Sequence, residues 1–307
     1  MSEEPVVWFN GELMELGEVR IPLLSHGLHY GTAVFEGMRV YDTARGPAAF
    51  RLDAHVARLL RSAELYYMPL PWSAEQLREA TRAVVLANGL RACYVRTLAF
   101  RGTGTMAVSP LAASVEVAIA AWEWASYLGD EGKRDGVRAK VSSWRRIGGD
   151  ALVPAAKASG HYLNSVLAKV ETERAGYDEG ILLDSRGMVS EGTGENIFVV
   201  QDGILSTPAL TSSILPGITR TAVIEIARTL GVEARERDVA RAELASADEL
   251  FVTGTAAELT PVREVDDIAV SDGRPGPLTL RIQAALEDAF HGRDPRWAHW
   301  LDPLEPR

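Results

Sequence analysis

The stretch Val153-Pro154-Ala155-Ala156-Lys157-Ala158-Ser159-Gly160 decides the reading of this chain. The 307 residues include 32 lysines and arginines, of which only Lys133, Lys140, Lys157 and Lys169 are lysines. Any chemistry that needs a side-chain amine therefore has four candidates. Lys133 lies in the polar run 129–136 and reads as solvated charge. Lys169 shares a predicted helix with Glu171 and Glu173 and reads as a surface residue. Lys140 sits in an alternating strand and points to solvent. Lys157 differs. Small residues on both sides let a bulky planar group approach it, as an attacking amine requires. From its neighbours alone the choice between a reactive amine and an ordinary loop lysine stays open.

Around this stretch the pattern predicts an α+β protein of two domains. Residues 6–24 read as two strands turning at Asn10-Gly11. Residues 32–41 and 48–51 look extended. Asp53 opens a helix, and Ser73 with Gln76 has capping-box spacing for a second helix that ends at Asn88-Gly89. Strands are predicted at 92–100 and 114–122. Residues 129–136, Gly-Asp-Glu-Gly-Lys-Arg-Asp-Gly, are polar and aperiodic and read as a linker. That places a small domain at 1–128 and a large one at 137–307. The large domain should hold a strand at 137–144, a helix at 160–175 and a hairpin of 180–184 with 188–200. A helix at 218–230, a strand at 249–253 and a helix from 278 follow.

Three further segments carry possible chemistry. Ser190-Glu191-Gly192-Thr193-Gly194-Glu195-Asn196 puts two carboxylates and an amide in a glycine-broken stretch. Its bland reading is a turn with solvated acids, yet glycines also admit a flat ligand close to the backbone. Leu215-Pro216-Gly217-Ile218-Thr219-Arg220 runs into a helix, whose N-terminal N–H groups suit a phosphate. Thr253-Gly254-Thr255-Ala256-Ala257 follows a strand and offers small side chains and backbone donors.

Composition excludes several alternatives. A net charge of −10 argues against a nucleic-acid surface. Apolar residues are 47%, and no uninterrupted apolar run reaches the length of a membrane span. The single cysteine, Cys93, and an acidic start without an apolar signal segment fit a cytoplasmic protein. The six histidines, at 26, 29, 55, 161, 291 and 299, have no zinc spacing, so no metal is expected. The nucleophile elbow, the phosphate loop and the dinucleotide fingerprint are absent.

In order along the chain, seven segments resemble the branched-chain amino acid aminotransferases of the fold-type IV pyridoxal-5′-phosphate (PLP) class. They are residues 25–39, 92–96, 141–144, 156–162, 190–196, 215–220 and 254–258. The resemblance implies a two-domain fold with PLP at the domain interface, and a homodimer or larger assembly. The implied reaction moves the amino group of L-Leu, L-Ile or L-Val to 2-oxoglutarate. It leaves room for side activity on (R)-amines, and a D-amino acid or (R)-amine transaminase is the alternative.

By the same resemblance, Lys157 holds the cofactor as a Schiff base and shuttles the proton. Glu191 pairs with the pyridine nitrogen, Tyr162 with the phenolic oxygen, and Leu215 packs on the ring. Arg58, Ile218, Thr219 and Thr255 hold the phosphate, and Gly194, Glu195 and Asn196 belong to the cofactor loop. Tyr94, Thr255 and Ala256 meet the α-carboxylate. Tyr30, Phe35, Gly37, Trp124 and Tyr127 line the side-chain pocket, and Arg96 meets the distal carboxylate of glutamate. Met106 and Val108 reach a neighbouring subunit. Three positions depart from the common pattern: Glu123 between two tryptophans, Ala107 in the 102–108 loop, and Gly160-His161. All three touch substrate loops and bear on substrate range.

Overall fold

A computed structural model describes residues 4–124 and 128–305. The chain divides into two compact units. The first comprises Met1–Trp124, Ala156–Gly160 and Ala289–Arg307; the second comprises Ala125–Ala155 and His161–Asp288.

The first unit contains β1 (Val6–Phe9), β2 (Glu12–Glu15), α1 (His26–Tyr30), β3 (Ala33–Thr43), β4 (Gly46–Phe50), α2 (Leu52–Leu65), α3 (Ala74–Ala87), β5 (Cys93–Arg101) and β6 (Val115–Trp122). They build a seven-stranded antiparallel sheet in the order Leu301–Pro303, β4, β3, β5, β6, β1, β2. One face is covered by α2 and α3. Val34, Met38 and Val40 of β3, with Val95 and Ile119, pack there on Val56, Leu59, Leu77 and Val84. Each such burial contributes about 1.5–3 kcal/mol.

The capping box forms as expected, with Gln76 N–H donating to Ser73 Oγ and Ser73 N–H to Gln76 Oε1. The start of α2 differs. The helix begins at Leu52, and Leu52 N–H donates to Asp302 Oδ2 at 3.2 Å. The acid that caps it comes from 250 residues away, so local sequence could not reveal it.

The second unit contains α4 (Gly129–Asp135), β7 (Val137–Arg145), α5 (Tyr162–Arg174), β8 (Glu179–Leu183), β9 (Val189–Gly192), β10 (Asn196–Gln201), β11 (Ile204–Pro208), α6 (Ile218–Thr229), β12 (Ala234–Arg237), α7 (Glu243–Ser246), β13 (Glu249–Gly254), β14 (Glu258–Val265), β15 (Ile268–Ala269) and α8 (Pro277–Phe290), whose last two residues belong to the first unit. Its sheet runs β12-β11-β10-β13-β14-β7-β8-β9, with β15 on β14. The β11/β12, β14/β7 and β7/β8 pairs are parallel and the others antiparallel. Val141, Ile181, Ile197, Val199, Val252 and Val262 form the core of one face.

The division of the chain departs from the sequence expectation of 1–128, 129–136 and 137–307. The run 129–136 is mostly helix α4. Lys133 is not simply solvated: it pairs with Glu258 and, at 3.2 Å, with Glu287. Gln283 Nε2 also donates to the Lys133 carbonyl at 3.0 Å. Residues after 288 return to the first unit, because Trp300 and Leu304 bury there and Leu301–Pro303 pairs with β4. Lys169 is likewise no ordinary surface residue. It lies 3.1 Å from the fully buried carboxylate of Glu179. Among the described residues no helix is long and apolar enough to cross a membrane.

Candidate active site

Lys157 belongs to the first unit, and two backbone hydrogen bonds pin it. Its carbonyl accepts from Phe35 N–H at 2.9 Å, and its own N–H donates to Ser62 Oγ at 3.0 Å. The neighbouring Ala158 bridges to Val34. The loop thus rides on β3 and α2, and Lys157 Nζ stands 5.0 Å from the Phe35 ring centroid.

The same aromatic ring meets a guanidinium. Arg96 Cζ is 4.6 Å from the Phe35 centroid, and Arg96 Nη2 donates to the Tyr94 hydroxyl at 3.3 Å. Alternation along β3 and β5 puts Phe35, Gly37, Tyr94 and Arg96 on one sheet face, with Gly37 opposite Arg96. A Cβ at position 37 would lie 1.7 Å from the Tyr94 hydroxyl, so with Tyr94 in this position only glycine fits. The Trp122 and Trp124 rings are 5.3 and 5.0 Å from that of Tyr94. Arg96 Nε is buried with no hydrogen-bond partner among the described residues. The face therefore joins an aromatic wall to a guanidinium with capacity for an acceptor.

Tyr30 stacks on His26 at 4.4 Å and donates its hydroxyl to the Met106 carbonyl at 2.9 Å. Met106 and Val108 are exposed, Val108 at 82%. Tyr127 lies outside the described residues.

Beneath this face, Glu36 is fully buried on β3. Arg58 Nε and Nη2 donate to its two oxygens at 2.6 and 2.9 Å, and His55 Nδ1 lies 2.7 Å from Oε2. Burial pulls the Glu36 pKa up, but the Arg58 charge and hydrogen bond, with His55, outweigh it and hold it at about 2. Burial in turn pushes the His55 pKa down against the pull of Glu36.

In the second unit the carboxylate of Glu191 is the centre of a tight group. Its Oε2 accepts from Leu215 N–H at 3.0 Å and Asn196 Nδ2 at 3.1 Å. Asn196 Nδ2 also donates to the Leu215 carbonyl. Arg146 Nε lies 2.8 Å from Glu191 Oε1, near enough for an ion pair although its N–H is not aimed along a hydrogen bond. A Cβ at Gly217 would fall 1.9 Å from Asn196 Oδ1, so glycine there lets the amide reach the start of α6. No side chain caps α6, and Ile218 and Thr219 in its first turn are buried. Its first N–H groups lack intrahelical acceptors and suit an anion.

Glu195 is turned to a different task. It is buried, accepts from Gly194 N–H at 3.0 Å and faces Glu179. Burial, then the Glu179 charge, pushes its pKa well up. Gly194 is exposed, Tyr162 opens α5, and half-buried Thr255 and Ala256 follow β13.

Glu36, His55 and Arg146 were not singled out from sequence. Glu36 carried a signal, because it falls between Val34 and Met38 on the apolar face of a strand. Arg146 carried only its place after a predicted strand.

The description "Amino-transferase class IV" fits residues 33–265 of this chain. The chain belongs to the class IV aminotransferases. Its fold is the fold-type IV arrangement of that family. The branched-chain-amino-acid aminotransferase of Escherichia coli (strain K12) is 49% identical over 300 residues, covering 97% of each chain. The crystal structure of the Escherichia coli branched-chain amino acid aminotransferase superposes with a TM-score of 0.96 at 48% identity, covering 99% of this chain and 100% of that one. The T.th. branched-chain amino acid aminotransferase with pyridoxamine 5′-phosphate gives a TM-score of 0.95 at 45% identity, with 99% and 100% covered. Structures of that same aminotransferase complexed with N-(5′-phosphopyridoxyl)-L-glutamate and with 4-methylvaleric acid give 0.93 at 43% identity and the same coverage.

Proposed function

We propose that this protein is a PLP-dependent branched-chain-amino-acid aminotransferase. It moves the amino group of L-leucine, L-isoleucine or L-valine to 2-oxoglutarate, giving branched 2-oxo acids and L-glutamate. The observation that carries this reading is the Phe35 ring, whose centroid lies 5.0 Å from Lys157 Nζ and 4.6 Å from Arg96 Cζ. An aliphatic side chain suits the aromatic wall, and the second carboxylate of glutamate suits Arg96. The related T.th. enzyme takes ligands of both kinds. The relatives' names favour this reading over a D-amino acid or (R)-amine transaminase.

The residues present fit PLP. Lys157 supplies an amine, Glu191 a buried carboxylate, α6 an uncapped N-terminus, and Arg58 a guanidinium. When bound, PLP supplies the electron sink that the reaction needs. With PLP bound, Lys157 would serve as base at the substrate Cα and then as acid at the cofactor C4′. Glu191 would pair with the pyridine nitrogen, and Arg146, 2.8 Å from its Oε1, helps orient that carboxylate. Asn196 ties Glu191 to Leu215, which would pack on the ring, and Tyr162 would bind the phenolic oxygen. The same reading gives Arg58, Ile218, Thr219 and Thr255 the role of phosphate ligands. Tyr94, Thr255 and Ala256 take the α-carboxylate. Glu195, accepting from Gly194 N–H, shapes the cofactor loop. Tyr30 and Trp124 complete the side-chain pocket.

A homodimer or larger assembly, in the cytoplasm, belongs to the same reading. The exposure of Met106 and Val108 supports their service to a neighbouring copy.

Three measurements test the proposal. The purified protein is expected to be yellow, with a visible band that borohydride bleaches. With 2-oxoglutarate as acceptor, L-leucine, L-isoleucine and L-valine should be the fastest donors. A D-amino acid or (R)-1-phenylethylamine outrunning them would reject the assignment. Arg96→Ala should lower kcat/KM for glutamate by about ten- to a hundredfold, the worth of a charge-assisted hydrogen bond. Leucine should change by no more than about threefold, since burial against Phe35 survives. Equal losses for both substrates would remove Arg96 from the distal-carboxylate role.

A further inference from the structure

Core strands alternate apolar side chains on the buried face. On β3 that face reads Val34, Glu36, Met38, Val40, all between 0 and 1% exposed. A lone carboxylate there costs several kcal/mol unless it is paired. Glu36 is paired twice, by Arg58 through both oxygens and by His55.

The partners share one face of α2. His55, Arg58 and Ser62 follow a 3-then-4 spacing, so they line up along the helix. Ser62 holds the Lys157 N–H, and Phe35, next to Glu36, holds the Lys157 carbonyl. A guanidinium carries five N–H donors, and Glu36 takes two of them in a fixed fork. The strand and helix that orient Arg58 thereby also fix Lys157.

We propose that Glu36, steadied by His55, is a positioning residue that sets Arg58 for the cofactor phosphate and in register with Lys157. Glu36 then governs affinity for the phosphate end of PLP without touching it. This rests on the reading of Arg58 as a phosphate ligand.

The test is binding of PLP and of pyridoxal, which lacks the phosphate, to cofactor-free protein, followed by absorbance. Glu36→Gln should weaken PLP at least tenfold and pyridoxal less than twofold. Arg58→Ala should show the same selectivity. In the Arg58→Ala background, Glu36→Gln should add nothing further. Equal weakening of PLP and pyridoxal in Glu36→Gln, or unchanged PLP affinity in a folded variant, would overturn the proposal. If Arg58→Ala itself spares PLP, the phosphate reading of Arg58 fails instead. Should Glu36→Gln not fold by circular dichroism, His55→Phe decides. It removes the Nδ1 partner and keeps a ring, and it should weaken PLP at least threefold with pyridoxal unchanged. No selective loss there overturns the proposal.

Discussion

Lys157→Ala is expected to reduce turnover of L-leucine with 2-oxoglutarate by at least about a thousandfold. Proton transfer by a positioned side chain alone contributes on the order of 10²–10⁴, and in the proposed function the same amine also holds the cofactor. The fold should survive. Lys157 is anchored by its backbone N–H and carbonyl, through Ser62 and Phe35, and alanine keeps both. Lys133 and Lys169 cannot substitute, because each is engaged with carboxylates elsewhere in the second unit. Steady-state rates on protein with wild-type circular dichroism check this. Turnover within tenfold of wild type would remove Lys157 from the chemistry.

Glu191→Gln should do two separable things. Glutamine keeps an oxygen for Leu215 N–H but removes the charge facing Arg146, which is 8% exposed. Breaking a buried ion pair from one side costs about 3–5 kcal/mol, so the melting temperature should fall clearly. Below the melting transition, kcat should still drop by about a hundredfold or more, the scale seen when a fixed electrostatic partner is withdrawn. A variant that melts early yet keeps kcat within threefold would make Glu191 a structural residue only.

Much of this was written locally in the sequence. Ser73 and Gln76 are three residues apart and cap their own helix, so spacing alone revealed it. Lys157 stood out among four lysines, and the ordered segments around it pointed to the family. The features that escaped depend on partners far along the chain. Helix α4 looks like a linker because its support comes from Glu258, Gln283 and Glu287. Asp302 caps α2 from 250 residues further along the chain. Glu36 reads as an ordinary polar residue until its neighbours on β3 prove to be core and His55 and Arg58 rise to meet it. Sequence periodicity flags the anomaly, and only tertiary contact explains it.

The strand Leu301–Pro303 has a consequence for biosynthesis. It forms the edge of the sheet built by the chain's first 124 residues, Asp302 caps α2, and Leu304 fills the core beneath. The unit translated first is therefore finished last. While the ribosome is still making the second unit, β4 presents an open edge and α2 an uncapped end. A stop codon before residue 301 would leave that vulnerable intermediate as the final product.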